Sequence, residues 1–192
     1  QVNGVIDVAA RGSDSFITTF NASTLKESDC VFCGQCVQAC PVGALTEKMA
    51  KGRGRTWEMK KVTTTCTYCG VGCQLELNVK DDKVVKVTST HEIPGPNKGS
   101  LCVKGRFGYD FIDHPDRLRV PLIKEDGAFR EASWDEALDL VARRFGEIKA
   151  QSGPDSLAFF TSARACNEAN YLMNKFSRAV IGTNNIDHCA RL

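Results

Sequence analysis

Ten cysteines dominate the chemistry available to this 192-residue chain, and eight of them lie between Cys30 and Cys102. The first group reads Cys30-x2-Cys33-x2-Cys36-x3-Cys40-Pro41. Thiolates spaced this closely on a tight loop wrap one cubane corner by corner, and this run is a ligand pattern of [4Fe–4S] clusters. Gly34 lets the backbone approach a sulfide without a Cβ clash, and backbone N–H groups there can hydrogen-bond the sulfurs and set the potential. A structural zinc site closes on four ligands, typically two separated pairs, so the triplet plus Cys-Pro fits zinc poorly. In two-cluster versions of this run the fourth cysteine ligates the other cluster. Cys30, Cys33 and Cys36 then hold one cluster whose fourth ligand lies elsewhere, and Cys40 serves a second. Residues 1–29 contain no further run. Either the partner run is missing from this chain, which is the preferred expectation, or Cys40 closes a single cluster locally.

The second group is Cys66-x2-Cys69-x3-Cys73, followed by Cys102 after 28 intervening residues, with Gly70 and Gly72 inside the loop. So distant a fourth ligand requires the chain to fold back and close a small β-rich domain on its own cluster. Disulfides are the alternative, but secreted disulfide scaffolds are usually shorter and spread their cysteines along the fold. Cys166 and Cys189 are left over and are expected to be small buried hydrophobes.

The elements that must position these ligands follow from patterning. The hydrophobic fraction of 42% and charged fraction of 25% are those of an ordinary globular chain. The net charge of +2 argues against a dedicated nucleic-acid binder. No apolar run reaches the roughly 18 residues needed to span a membrane. Residues 1–46 read as loop-rich around Cys30 to Cys40. Residues 47–61 form a basic connector with six Lys/Arg against two Glu, expected to be a solvated linker or a partial offset to cluster charge. Gln74 to Val79 alternates, Asp81-Asp82 can turn, and Lys83 to Val87 returns, which predicts a hairpin. Pro94-Gly95-Pro96 lies in the loop leading to Cys102. Ser133-Trp134-Asp135-Glu136 is a capping box that opens an amphipathic helix through Ile148, ending near Gly153-Pro154. Leu157 to Phe160 reads as a buried strand. A loop from Thr161 to Cys166 precedes a second helix from about Asn167 to Ile181, closed by Gly182. Helix, strand, loop and helix begin an α/β layer with a parallel sheet. The expected fold is therefore α+β, then α/β, divided at residues 1–58, 59–115 and 116–192. Asn184 and Asn185 can make a turn, His188 and Cys189 are expected to be buried structural residues, and His91 and His114 to be ordinary loop residues.

Thr65-Cys66-Thr67-Tyr68-Cys69-Gly70-Val71-Gly72-Cys73 and Lys98-Gly99-Ser100-Leu101-Cys102-Val103-Lys104-Gly105-Arg106 resemble the cluster domain of molybdopterin oxidoreductases. The segment from Asn167-Glu168-Ala169-Asn170-Tyr171 through Gly182-Thr183-Asn184-Asn185-Ile186-Asp187-His188-Cys189-Ala190-Arg191 resembles the catalytic α subunit of molybdenum- or tungsten-dependent formate dehydrogenases. Cys-Val-Phe-Cys-Gly-Gln-Cys resembles the two-cluster ferredoxin module shared by soluble formate dehydrogenases, iron hydrogenases and the large iron–sulfur subunit of complex I. Together the match covers nearly the whole chain, as a partial ferredoxin-like module, a [4Fe–4S] domain and the start of a molybdopterin-binding α/β domain.

The resemblance implies interconversion of formate and CO2 at a Mo or W ion held by two molybdopterin guanine dinucleotides. Electrons would leave through a pterin to the nearest [4Fe–4S] cluster and then outward through the ferredoxin-like clusters. Lys104, two residues after Cys102, matches the family lysine between cluster and pterin, where it would serve as the electron relay. A cation there donates to the pterin and offsets cluster charge. Arg164 and Asn167 follow the strand Leu157 to Phe160 at its carboxyl end, where open α/β sheets bind ligands, so they are candidates to approach the pterin. Implied partners are iron–sulfur, flavin or hydrogenase electron-transfer subunits in a cytoplasmic hetero-oligomer, with no nucleic acid and no membrane span. Two alternatives compete: a non-catalytic electron-transfer subunit of the complex I type, and another pterin enzyme such as a nitrate reductase. Lys104 and the Gly182-to-Arg191 segment favour formate dehydrogenase.

The chain is expected to be cut at both ends. In similar formate dehydrogenases the stretch Asn185 to Leu192 is followed at once by the metal's protein ligand, Cys or selenocysteine, and then His. A selenol suits such a site, being ionised at neutral pH and softer than thiolate. Selenocysteine is encoded by UGA, which gene finding takes for a stop. The genomic DNA is therefore expected to show an in-frame UGA after the Leu192 codon, then a His codon and a long open frame. A UAA, a UAG or an ordinary Cys codon there would contradict this.

Overall fold

Alternating side chains over residues 74–88 generate the sheet on which the cysteine loops are hung. In the computed structural model, which describes residues 3–190, strands β3 (Lys60–Thr65), β4 (Gln74–Lys80) and β5 (Lys83–Thr88) form an antiparallel sheet in that order. Asp81 and Asp82 both take positive φ, 51° and 57°. That is the backbone of a type I′ hairpin, whose twist matches its strands. The β4–β5 register shifts at Asn78/Val79. There the fully buried Asn78 donates from Nδ2 to Thr88 Oγ1 at 2.9 Å, with weaker contacts to Glu76 O and Lys86 O. An amide beside a bulge takes up carbonyls that the disturbed ladder leaves short of partners.

Two compact units make up the chain. One runs to Cys66 and resumes over Cys73–Ile112; the other comprises Thr67–Gly72 and everything from Asp113 onward. The first unit buries Leu75, Val85, Val87, Leu101 and Tyr109. It also holds the hairpin of β1 (Ile6–Ala9) and β2 (Phe16–Thr19), a short helix α1 (Gln35–Ala39) in the first cysteine group, and a second, α2 (Val103–Phe107), directly after Cys102.

The second unit contains a hairpin of β6 (Leu122–Glu125) and β7 (Ala128–Glu131), turning at Asp126-Gly127 with φ of 49° and 83°. Helix α3 (Trp134–Ser152) begins as its capping residue dictates, with Ser133 Oγ accepting from the Glu136 N–H. Strand β8 (Phe159–Thr161) lies parallel to β9 (Ile186–His188), and helix α4 (Asn167–Lys175) with a π-helical turn over Phe176–Ile181 makes the crossover. Gly182, at φ 90°, ends it. Leu157, Phe159 and Ile181 form the core, flanked by Phe145, Phe176 and Ile186. The Phe159 ring stands edge-on to Phe145 and Phe176, at 6.0 and 5.6 Å between centroids.

The structure corrects several sequence expectations. The basic connector is not a free linker: Lys60 and Lys61 begin β3, Glu58 pairs with Lys80 at 2.9 Å, and Glu47 is half-buried. Residues 6–19 form a hairpin where loop was expected, and β6–β7 was not anticipated although Asp-Gly between short strands is a type I′ signal. Cys189 and His188 are exposed and Cys166, the N-cap of α4, is half-buried; among the described residues β8 and β9 pair only with each other. Asn184 and Asn185 do more than turn. Asn185 Nδ2 donates to Asp155 O at 2.8 Å, and Asn184 Oδ1 accepts from Arg178 Nε at 3.1 Å. His91 and His114 are exposed loop residues, as expected. Arg191 and Leu192, on which the expectation about the chain's end falls, lie outside the described residues.

Leu75 is 4% exposed. Its truncation to Ala is expected to destabilise the first unit by about 2–5 kcal/mol through lost burial and an unfilled cavity, read as a lowered urea midpoint with unchanged slope.

Candidate metal centres

No disulfide joins any of the ten cysteines. Among the described residues, no group of three or more His, Cys, Asp or Glu is gathered as a single-ion site.

Cys30, Cys33, Cys36 and Cys40 are half-buried on and around α1. The Phe32 N–H donates to Cys30 Sγ at 3.4 Å. Backbone amides of the turn after Cys40, led by Leu45 and followed by Ala44, Val42 and Gly43, draw its thiol below the ordinary range. Both features suit cluster thiolates, since amide donors stabilise sulfur-centred negative charge. Cys40 also borders a cavity of about 560 Å³ lined by Pro41, Leu45, Lys51, Arg55 and Lys86.

In the second group, the Cys66 N–H donates to Cys73 O at 2.8 Å and closes the neck of the loop. Cys69 belongs to the Thr67–Gly72 loop that groups with the second unit. Cys102 is brought back by Asn97. Its Oδ1 accepts from Gln74 N at 2.8 Å, and its Nδ2 lies within 3.0 Å of Gln74 O, Ser89 Oγ and Ser100 O. Gln74 follows Cys73 directly, so one side chain ties the return loop to the ligand triplet. Cys102 is the N-cap of α2, and Lys104 is exposed in the first turn of that helix. Gly105 is buried, and a Cβ on it would stand 3.7 Å from Cys66 Sγ and 3.5 Å from Leu101.

Arg106, unremarked in the sequence, is 2% exposed. Its Nε donates to Cys33 O at 2.7 Å, Nη2 to Gln35 Oε1 at 3.0 Å, and Nη1 to Gln38 Oε1. Gln38 also accepts from Ser89 N at 3.2 Å and donates to Ser89 O. Burial lowers the Arg106 pKa, opposed by Cys33, Glu47 and Cys36. The guanidinium remains charged because its ordinary value is so high. No sequence signal marks Arg106 or Gln38: a buried arginine is rare, and a glutamine between cluster ligands reads as surface.

Tyr109 is another buried contact missed by patterning. Its Oη lies 2.7 Å from Glu47 Oε1 and 2.6 Å from Val85 O. The hydroxyl is shared between the Glu47 carboxyl and the Val85 carbonyl. Burial raises the Glu47 pKa, against the Tyr109 hydrogen bond and the charges of Arg106, Lys86 and Arg53. In the second unit, Asn167 Nδ2 donates to Gly70 O at 2.8 Å, while Arg164 is exposed with its N–H on Ser162 Oγ at 3.0 Å.

Residues 24–46 match a 4Fe-4S binding domain, residues 59–114 the molybdopterin oxidoreductase Fe4S4 domain, and residues 117–192 the molybdopterin oxidoreductase domain. The chain belongs to the molybdopterin oxidoreductases. Among similar proteins, the "Probable oxidoreductase YjgC" of Bacillus subtilis is 41% identical over 89% of this chain and 21% of its own length. The "Putative formate dehydrogenase SAR2393" of Staphylococcus aureus is 40% identical with the same coverage. This molybdopterin oxidoreductase chain thus spans about a fifth of the length of those relatives. Among solved structures, the acetylene hydratase of Pelobacter acetylenicus matches 67% of this chain and 18% of its own, at 27% identity and a TM-score of 0.52. Iron–sulfur clusters and a Mo or W pterin are the cofactors of the domains this oxidoreductase chain carries. No helix among its described residues is long and apolar enough to cross a membrane.

The raised Glu47 pKa fixes the sign of a pH effect. With the folded pKa raised by burial, the contribution of Glu47 to stability is fully present below the ordinary value of 4.5 and is lost as pH rises through the folded value. Urea unfolding of the first unit is expected to become easier as pH rises above 4.5 through the folded value, and Glu47→Gln, which cannot ionise, to remove that component.

Proposed function

We propose that the chain is the iron–sulfur and pterin-proximal part of a formate dehydrogenase or CO2 reductase, carrying electrons between a Mo- or W-pterin site and external acceptors. The carrying observation is the junction at Cys102: a cysteine of the second group caps α2, and Lys104 stands exposed two residues on, in its first turn. The name of the Staphylococcus aureus relative points to formate as substrate. The fold does not choose the reaction, since the similar solved structure is titled a hydratase. The 4Fe-4S segment at residues 24–46 favours a redox role, because it adds a path for electrons.

When bound, the metal–pterin group supplies the two-electron chemistry at the formate carbon. The chain's own residues hold and insulate the route. Cys66, Cys69, Cys73 and Cys102 would ligate the cluster nearest the pterin, and Cys30, Cys33 and Cys36 the next. Cys40 would serve a further cluster, as its spacing in the run suggests. Lys104 would act as relay by donating to the pterin and offsetting cluster charge. Arg164 at the carboxyl end of β8 is open to a pterin. Asn167 holds the Gly70 carbonyl, which makes it a support for the loop bearing Cys69. The division at residues 1–58, 59–115 and 116–192, a cytoplasmic location and assembly with iron–sulfur, flavin or hydrogenase subunits belong to the same proposal.

Purified anaerobically at its natural length, the protein is expected to contain [4Fe–4S] iron without stoichiometric zinc and to turn over formate but not nitrate. Lys104→Ala is expected to lower kcat with the physiological acceptor at least about tenfold, roughly 1.4 kcal/mol in barrier, while iron content and melting temperature hold. Zinc without iron, turnover of nitrate instead of formate, or wild-type turnover by Lys104→Ala would each refute the corresponding assignment.

A further inference from the structure

A buried arginine ordinarily finds a carboxylate, because an unpaired charge taken out of water costs several kcal/mol. Arg106 has none. Its hydrogen-bond acceptors are the Cys33 carbonyl and the amide oxygens of Gln35 and Gln38, all of them neutral. Among the described residues, no carboxylate stands within ion-pair distance of it. Every acceptor belongs to Cys33–Gln38, the segment that bears two thiols of the first group. The match is also steric: Gly34 takes φ +69°, and a Cβ there would fall 2.2 Å from Arg106 Cδ and 2.6 Å from Phe107 Cζ. The arginine stem therefore lies directly on the cluster-loop backbone.

We propose that Arg106 is a positioning residue that clamps the Cys33–Gln38 loop and, as a fixed buried cation, raises the reduction potential of the cluster held by Cys30, Cys33 and Cys36. Each one-electron reduction adds a negative charge to a cluster that its thiolates already make anionic. A nearby cation stabilises the reduced form more than the oxidised form, and low dielectric strengthens the difference. The acceptors in contact with Arg106 are neutral, and Glu47, the carboxyl that acts on it through space, is not paired with it, so more of the charge is left to act on the cluster than a contacting carboxylate would leave. Gln38 extends the clamp to Ser89, at the end of β5.

The inference rests on the assignment of a cluster to Cys30, Cys33 and Cys36. The experiment is an EPR-monitored redox titration of the protein at its natural length, with that cluster's signal identified by its loss in Cys33→Ser. Arg106→Gln is expected to shift its midpoint to more negative potential, leaving the cluster of Cys66, Cys69, Cys73 and Cys102 less changed. Arg106→Lys is expected to recover part of the shift by keeping the charge. Should Arg106→Gln fail to assemble, Gln35→Glu retains the acceptor for Nη2 while cancelling the charge, and is expected to shift the same midpoint in the same direction. Loaded, folded variants with an unmoved midpoint would overturn the role of Arg106. A wild-type protein with no signal sensitive to Cys33→Ser would instead overturn the cluster assignment beneath it.

Discussion

The first unit depends on one buried guanidinium. Arg106 reaches from the helix after Cys102 to the loop around Cys33, between ligands about 70 residues apart in sequence. Its desolvation is offset by three acceptors set in a fork that a planar guanidinium matches and an ammonium does not. Because Gln38 also holds Ser89, and Asn97 holds both Ser89 and Gln74, a continuous polar network runs from the first cysteine group to the end of the second. Arg106 and Ser89 are buried, so losing a partner would strand their polar atoms, which makes the network a specifier of geometry more than a source of net stability.

Hydrophobic burial provides the platform beneath it. Leu75, Val85, Val87 and Leu101 fill one side of a three-stranded sheet, and Tyr109 closes the layer with its hydroxyl on Val85 O. That hydroxyl recruits Glu47 from the basic stretch between the two cysteine groups. The surface ion pairs of the stretch, such as Lys80 with Glu58, contribute little by comparison, because water screens them. Function is thus served by a division of labour: apolar packing sets the sheet, and buried polar contacts fix where thiols and the lysine after Cys102 emerge.

The second unit uses different means. Phe145 and Phe176 pack edge to face on Phe159 of β8, and Asp155 anchors the approach to β9 by accepting from Thr183 and Asn185. Leu138, Phe160, Tyr171 and Leu172 are exposed apolar side chains of this unit.

The sequence by itself determined the ligand types and much of the scaffold. Cysteine spacing is a local property, so Cys30 to Cys40 and Cys66 to Cys73 announce clusters without tertiary information. The hairpin at Asp81-Asp82, the helix capped at Ser133 and the Gly182 stop are likewise written in side-chain periodicity and short-range capping chemistry. Tertiary structure alone decided what holds these pieces. Arg106, Gln38, Asn97 and Glu47 read along the chain as surface residues, since polar side chains carry no periodicity that reveals burial. Only folding brings their donors and acceptors within 3 Å or so of each other, where leaving water becomes affordable. The exposure of Cys189 and His188 was undecidable from the sequence for the complementary reason: whether a strand is covered depends on neighbours that its own residues do not name.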